Sequence, residues 1–292
     1  MKFIFLMAAF MIFATVGIPF SRAQTSGLSN YIAELQKLAE QGDTIAQYNL
    51  GVMYSNGTGV LKDEQQAFAF YYKAAEKGFP PAQYNLSMMY LYGKGVLKDE
   101  QQVIAWCRKA AEQGYEPAQY GMGVLFRDGL GLPKDEQQAV AWFRKAAERG
   151  YPMAQTELGV MYSNGTGVLK DERQAVAWFH KAAEQGYDNA QHNLGVVYRD
   201  GQGVPKDEKQ AVAWFRKAAE QGFAAAQHSL GVMYASGRGV ERSEQQAYFW
   251  WLLSSARGLK ESISNKNIME TRITPQERQK AQLDASVWRP KR

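Results

Sequence analysis

Cysteine is almost missing from this 292-residue chain. Cys107 stands alone, so no disulfide can form within the chain and its stability must come from packing. Histidine is nearly as scarce, at positions 180, 192 and 228, and no His-Glu-x-x-His occurs. That supply argues against a metal centre and leaves no cofactor to expect. An excess of either charge is also lacking. There are 34 basic and 29 acidic side chains. Setting aside the first 23 residues, the tail from Leu259 onward holds eight basic and four acidic residues, so the body from Gln24 to Gly258 is nearly neutral. A neutral body excludes the clustered Lys and Arg that nucleic-acid binding needs.

Long apolar runs are absent after residue 24, so no transmembrane segment is expected in the mature chain. The exception is the start. Lys2 is followed by an uncharged stretch from Phe3 to Phe20, then Ser21-Arg22-Ala23. Small residues at both positions read by a signal peptidase predict a signal peptide over 1–23, cleaved after Ala23. The alternative is an uncleaved anchor helix. Either way the chain is expected to be exported, to the bacterial periplasm or beyond.

What the chain has in abundance is repetition. Ala-Gln recurs at 46, 82, 118, 154, 190 and 226, always 36 residues apart. Six copies in register mean one supersecondary unit stacked repeatedly. In the fourth copy, Ala154, Leu158, Met161 and Tyr162 follow helical spacing, and so do Ala175, Trp178, Phe179 and Ala182. Each unit therefore reads as two antiparallel helices. Glycines at 42, 78, 114, 150, 186 and 222 follow Ala-Glu-x and mark helix C-termini. Pro80, Pro81, Pro117 and Pro152 open the next helix. Asp63, Asp99, Asp135, Asp171, Asp207 and Ser243 each precede a glutamine by three residues, the pattern of a capping box. Periodic aspartates at helix starts are caps, not catalysts. The Gly-x-Gly between helices follows no strand and leads to no Lys-Ser/Thr, so it is a turn and not a phosphate cradle. Trp106, Trp142, Trp178, Trp214 and Trp250 recur at one position and read as core; Cys107 stands where other copies carry an aromatic ring and reads as a buried thiol.

The combined pattern is A-Q-x-x-L-G-x-x-Y, G-x-G-V-x-x-D, then A-x-x-W-x-x-K-A-A-E-x-G. It stands whole from Ala154 to Gly186 and from Ala190 to Gly222, and it resembles the Sel1-like repeat family of tetratricopeptide-like solenoids. The resemblance implies an all-α fold: a right-handed α/α superhelix of six 36-residue helical hairpins with N- and C-terminal capping helices. The copies are framed as 46–81, 82–117, 118–153, 154–189, 190–225 and 226–258. A linker and capping helix occupy 24–45, and capping helices with a basic tail occupy 259–292. Residues 24–28 and the extreme C-terminus are expected to be disordered. Thr274-Pro275-Gln276-Glu277 should open the last helix.

By resemblance, such chains act as adaptors and scaffolds, which implies a protein or peptide partner and a monomeric chain. Positions that differ between copies are freer to serve a partner than positions that repeat. Just after Ala-Gln come Tyr48, Tyr84, Tyr120, Thr156, His192 and His228; next come Asn49, Asn85, Gly121, Glu157, Asn193 and Ser229. Tyr48, Asn49, Tyr84, Asn85, Tyr120, Glu157, His192, Asn193 and His228 are accordingly the candidate binding residues, on an expected concave face. Two alternatives remain. One is a peptidoglycan or carbohydrate binder. The other is a β-lactamase-like envelope protein, because cysteine-rich exported relatives have been linked to β-lactam hydrolysis. Against catalysis, no serine is followed three residues later by lysine and no nucleophile–base pair is evident.

Overall fold

The structure is a computed structural model that describes residues 22–291. The expected signal peptide lies outside the described residues, apart from Arg22 and Ala23. Fifteen helices are present among the described residues: α1 (Arg22–Glu40), α2 (Thr44–Asn56), α3 (Glu64–Glu76), α4 (Pro80–Tyr92), α5 (Glu100–Glu112), α6 (Glu116–Asp128), α7 (Glu136–Glu148), α8 (Pro152–Asn164), α9 (Glu172–Glu184), α10 (Asp188–Asp200), α11 (Glu208–Glu220), α12 (Ala224–Ser236), α13 (Glu244–Ser255), α14 (Lys260–Glu270) and α15 (Pro275–Val287). The chain divides into two compact units, one ending at Ala110 and one beginning at Ala111. In unit 1 α1, α2, α3 and α4 pack in succession. In unit 2 the same chain of neighbours runs from α6 to α14, and α15 folds back onto α13.

The helix ends follow their residues. Asp135, Asp171 and Asp207 accept from the amides of Gln138, Gln174 and Gln210 at 2.9–3.0 Å. Only half of the expected box forms there: among the described residues the reciprocal contact is made at Thr274 and Glu277. Glu277 is already a carboxylate and holds both the amide and the hydroxyl of Thr274, whereas a neutral glutamine gains less from that reach. Asp43 is a further cap, accepting from Ala46 N at 2.7 Å.

Glycine works twice in each hairpin turn. Gly165 takes φ +72° and closes α8 by donating to Met161 O at 2.9 Å. Gly167 is there for approach: a Cβ on it would lie 2.5 Å from the carbonyl carbon of Glu136, one repeat earlier. The turn of one hairpin therefore sits on the start of the preceding second helix.

The core repeats with the chain. Glycines in the first helices face the ring of their partner helix; a Cβ on Gly51, Gly123 or Gly159 would lie 2.5–2.6 Å from Tyr71, Phe143 or Phe179. Copy two breaks both members of this pair, with Ser87 facing Cys107, and both are fully buried. Burial pushes the Cys107 thiol up to about 12, as suits an unreactive filler. Trp106, Trp178 and Trp250 are buried, but Trp142 and Trp214 are half-exposed. Lysines three residues on cover buried and half-exposed rings alike, Lys109 over Trp106, Lys181 over Trp178 and Lys217 over Trp214 at 3.9 Å and Lys145 over Trp142 at 4.0 Å, so the row is part core and part surface, with a cation on the rings of both kinds.

Residues 24–28 continue α1, where Leu28, Ile32, Leu35 and Ala39 follow helical spacing and pack against α2. At the other end Trp288 packs on the core of the last hairpins, and Lys291 bonds Glu220 through both backbone and side chain at 2.8 Å. At this C-terminal end the expected disorder gives way to packing, because Trp288 anchors the segment.

Candidate functional site

The glutamine of each Ala-Gln pair is a fastener. Its Nε2 donates to the carbonyl of an alanine eight residues earlier, as in Gln47 to Ala39 at 3.0 Å, Gln155 to Ala147 at 3.0 Å and Gln191 to Ala183 at 3.2 Å. These are last-turn carbonyls that would otherwise be orphaned. The bond pins each first helix to the end of the helix before it and so sets the direction of the next two side chains.

The first of those side chains enters an aromatic slot. In unit 1, Tyr48 is half-buried between Tyr71 and Phe79, with ring centroids 5.8 and 5.2 Å away. Tyr84 is half-buried at the equivalent position of α4. In unit 2, Tyr120 lies between Phe143 and Tyr151 at 5.5 and 5.6 Å, and His192 lies between Phe215 and Phe223 at 5.5 Å each. His228 leans on Trp251 at 6.5 Å. Thr156 is too short for the slot, is buried, and turns its hydroxyl to Pro152 O at 2.8 Å. These residues are thus partly filler and partly surface. The second side chains, Asn49 and Asn85 in unit 1 and Glu157 and Asn193 in unit 2, are half-buried beside them.

The electrostatics separate two regions of unit 2. Arg127 forks onto Asp128, with Nε–Oδ1 2.7 Å and Nη2–Oδ2 3.0 Å, and reaches Glu157 Oε2 from Nη1 at 2.8 Å. Burial pushes the Tyr120 hydroxyl up to about 12, and the Glu157 carboxylate adds to that. Further along, burial and then Arg199 hold His192 down to about 4, and its Nε2 lies 3.3 Å from Ser229 Oγ. Burial also lowers His228. Its Nδ1 is 2.8 Å from Ser262 Oγ; Ser262 donates to Ser254 Oγ at 2.8 Å, and Ser254 donates to Ala224 O at 2.8 Å. That relay ends on a carbonyl, so each hydroxyl proton is committed and His228 donates from Nδ1.

Ser262 and His228 form a serine–histidine contact that the sequence did not reveal, because Ser262 lies in the cap beyond the last copy. Ser262 is fully buried and its proton points away from the histidine, which is the wrong polarity for a nucleophile and its base. Arg127 was missed for another reason. It sits in the last turn of α6, seven residues from the varying pair, and only folding brings it to Glu157. Among the described residues no group of three or more His, Cys, Asp or Glu is placed to hold a metal, and no helix is long and apolar enough to cross a membrane.

Stacked hairpins, glutamine fasteners and Gly-x-Gly turns define an α/α repeat scaffold. The Sel1 repeat model matches six times, at 44–79, 80–115, 116–151, 152–187, 188–223 and 224–259, and the chain belongs to the Sel1 repeat family. Each match begins two residues before the Ala-Gln pair, at the first residue of the first helix. Among solved structures, a Sel1 repeat protein from Oxalobacter formigenes is 36% identical, with a TM-score of 0.71; the alignment covers 77% of this chain and 99% of that one. A protective antigen present in uropathogenic Escherichia coli strains is 35% identical, with a TM-score of 0.55, over 88% of this chain and 63% of its own. No curated protein matches.

Proposed function

We propose that this chain is an exported adaptor that binds a protein or peptide through the surfaces carried by the first helices of its repeats, taken in each unit by itself. It binds and does not catalyse. The observation that carries the reading is a contrast within single helices. The positions that pack repeat almost without change: Ala46, Gln47 and Leu50 have buried counterparts at Ala190, Gln191 and Leu194. The half-exposed positions beside them change character, from Tyr48 and Asn49 to Tyr120, Glu157, His192 and Asn193. Packing demands alone would make both sets repeat. Tyrosine and asparagine supply interface area and adaptable hydrogen bonds at low entropic cost. Export rests on the N-terminal segment, with periplasmic residence the simplest destination and an uncleaved anchor the alternative.

The test is crosslinking and capture from the native envelope, comparing wild type with Tyr84→His/Tyr120→His. Histidine is the choice because the fold already seats His192 at the position equivalent to these tyrosines. Captured proteins should be depleted in the variant, since losing central aromatic anchors typically costs more than about 1 kcal/mol each. The same proteins in the same yield from both would refute the reading, and recovery of glycan without protein would favour the sugar-binding alternative.

A further inference from the structure

One corner of the proposed binding face in unit 2 has unbalanced charge. Arg127 serves two carboxylates at once, Asp128 through a two-pronged contact and Glu157 through a single one at 2.8 Å. One guanidinium against two carboxylates leaves one negative charge. Glu157 Oε1 has no hydrogen-bond partner among the described residues, and the Glu157 side chain is 30% exposed. The equivalent cluster two copies later is balanced: Arg199 pairs with Asp200 alone, and Ser229 stands where Glu157 would be.

The walls beside Glu157 are aromatic. Tyr120 and Tyr151 meet at 5.6 Å between centroids. Tyr187 is half-buried, and its pKa is raised by burial first, then by the neighbouring Asp188 carboxylate, then by Glu157 and the hydroxyl of Tyr151. Tyr120 responds to Glu157, Tyr151 and Tyr187 in the same sense. Tyr120 and Tyr187 both sense the Glu157 charge, and Tyr151 packs on Tyr120; rings beside a carboxylate with a spare oxygen suit one kind of group. A cation gains from the carboxylate and from the ring faces together, in a place where partial burial weakens the competition from water. An anion would meet Glu157 and Asp128, and a plain apolar group would leave Oε1 desolvated and unpaired.

We infer that the corner formed by Tyr120, Tyr151, Tyr187 and Glu157 receives a lysine or arginine side chain of the bound protein. The inference rests on the adaptor reading and adds the chemistry of the contact. Copy four is then the specificity point of the array, and the acid appears at this rung alone.

The test is selection of a displayed library of random 12-residue peptides against the full chain, run in parallel on wild type, Glu157→Gln and Glu157→Lys. Wild type should enrich peptides with Lys or Arg at one fixed position. Glu157→Gln should bind those peptides about tenfold more weakly, the loss of one partly desolvated charge contact. Glu157→Lys should enrich Asp or Glu at that position. Far-UV circular dichroism of each variant checks that the helices persist. Peptides that bind wild type with no cation preference, and equally well to all three proteins, would overturn this inference and leave the adaptor reading standing. No enrichment on any of the three would count against both.

Discussion

Exchanging the Ser87 and Cys107 pair for the one used elsewhere in the array should reveal strong coupling between them. In the five other copies a glycine on the first helix lies under a ring of the second, Gly195 under Phe215 among them; a Cβ there would sit 2.5 or 2.6 Å from the ring at Gly51, Gly123, Gly159 and Gly231. No real Cβ tolerates that distance from rigid ring atoms. Cys107→Phe alone therefore drives a ring onto the Ser87 side chain, and overpacking of this kind costs about 1–3 kcal/mol. Ser87→Gly alone places a glycine in mid-helix over a small thiol, at about 1 kcal/mol in backbone entropy plus a small void. Together the two changes rebuild the glycine–phenylalanine pair, and the ring regains roughly 1.5–3 kcal/mol of burial. The double variant should exceed the sum of the singles by about 2 kcal/mol. Urea unfolding of all four proteins, followed by circular dichroism and tryptophan fluorescence, measures this. Repeat arrays can lose two-state behaviour, so the curves are fitted with nearest-neighbour coupling between repeats. Additivity within about 0.5 kcal/mol would refute the claim that these two positions compensate each other.

Two further outcomes follow from the same geometry. Gly203→Ala combines φ +73° with a Cβ 2.5 Å from the Glu172 carbonyl carbon, while Gly186→Ala has φ +88° and open space. The first should cost at least about 2 kcal/mol and the second about 1–2, the left-handed penalty alone; thermal melts that rank them in reverse would exclude repeat-to-repeat contact as the reason for the second glycine. His192 is held near 4 in the folded chain and returns to about 6.5 when unfolded, so the unfolded state binds the extra proton between those values. Its contribution is complete above about pH 6.5 and is lost as pH falls towards 4, by about 1–2 kcal/mol after discounting for its partial exposure. His192→Tyr, the residue Tyr120 already supplies at this slot, should flatten that slope in urea titrations; an unchanged slope would assign it to other groups.

Much of the fold was legible because periodicity exposes any position whose job is packing. The aspartate caps, the C-terminal glycines and the alanine pairs each had one local cause that recurs every 36 residues. The second hairpin glycine was legible as a turn but not as a contact, since the Glu136 backbone that Gly167 approaches belongs to another copy. Ser87 and Cys107 were each visible as departures, yet their pairing depends on which faces meet. The candidate site was read more coarsely. Varying positions marked Tyr120, Glu157 and His192, but whether these rings stand free or fill slots depended on Phe143, Tyr151, Phe215 and Phe223, which lie on other helices.

By itself the sequence determined the helical hairpin, its number of copies and its family, because local propensity and a strict repeat admit one way to bury each apolar stripe. Tertiary structure alone decided which charges meet which rings. Arg127 and Glu157 are 30 residues apart and come within 2.8 Å only when consecutive first helices lie side by side. A contact between copies depends on the spacing and rotation from one hairpin to the next, and no single repeat encodes that.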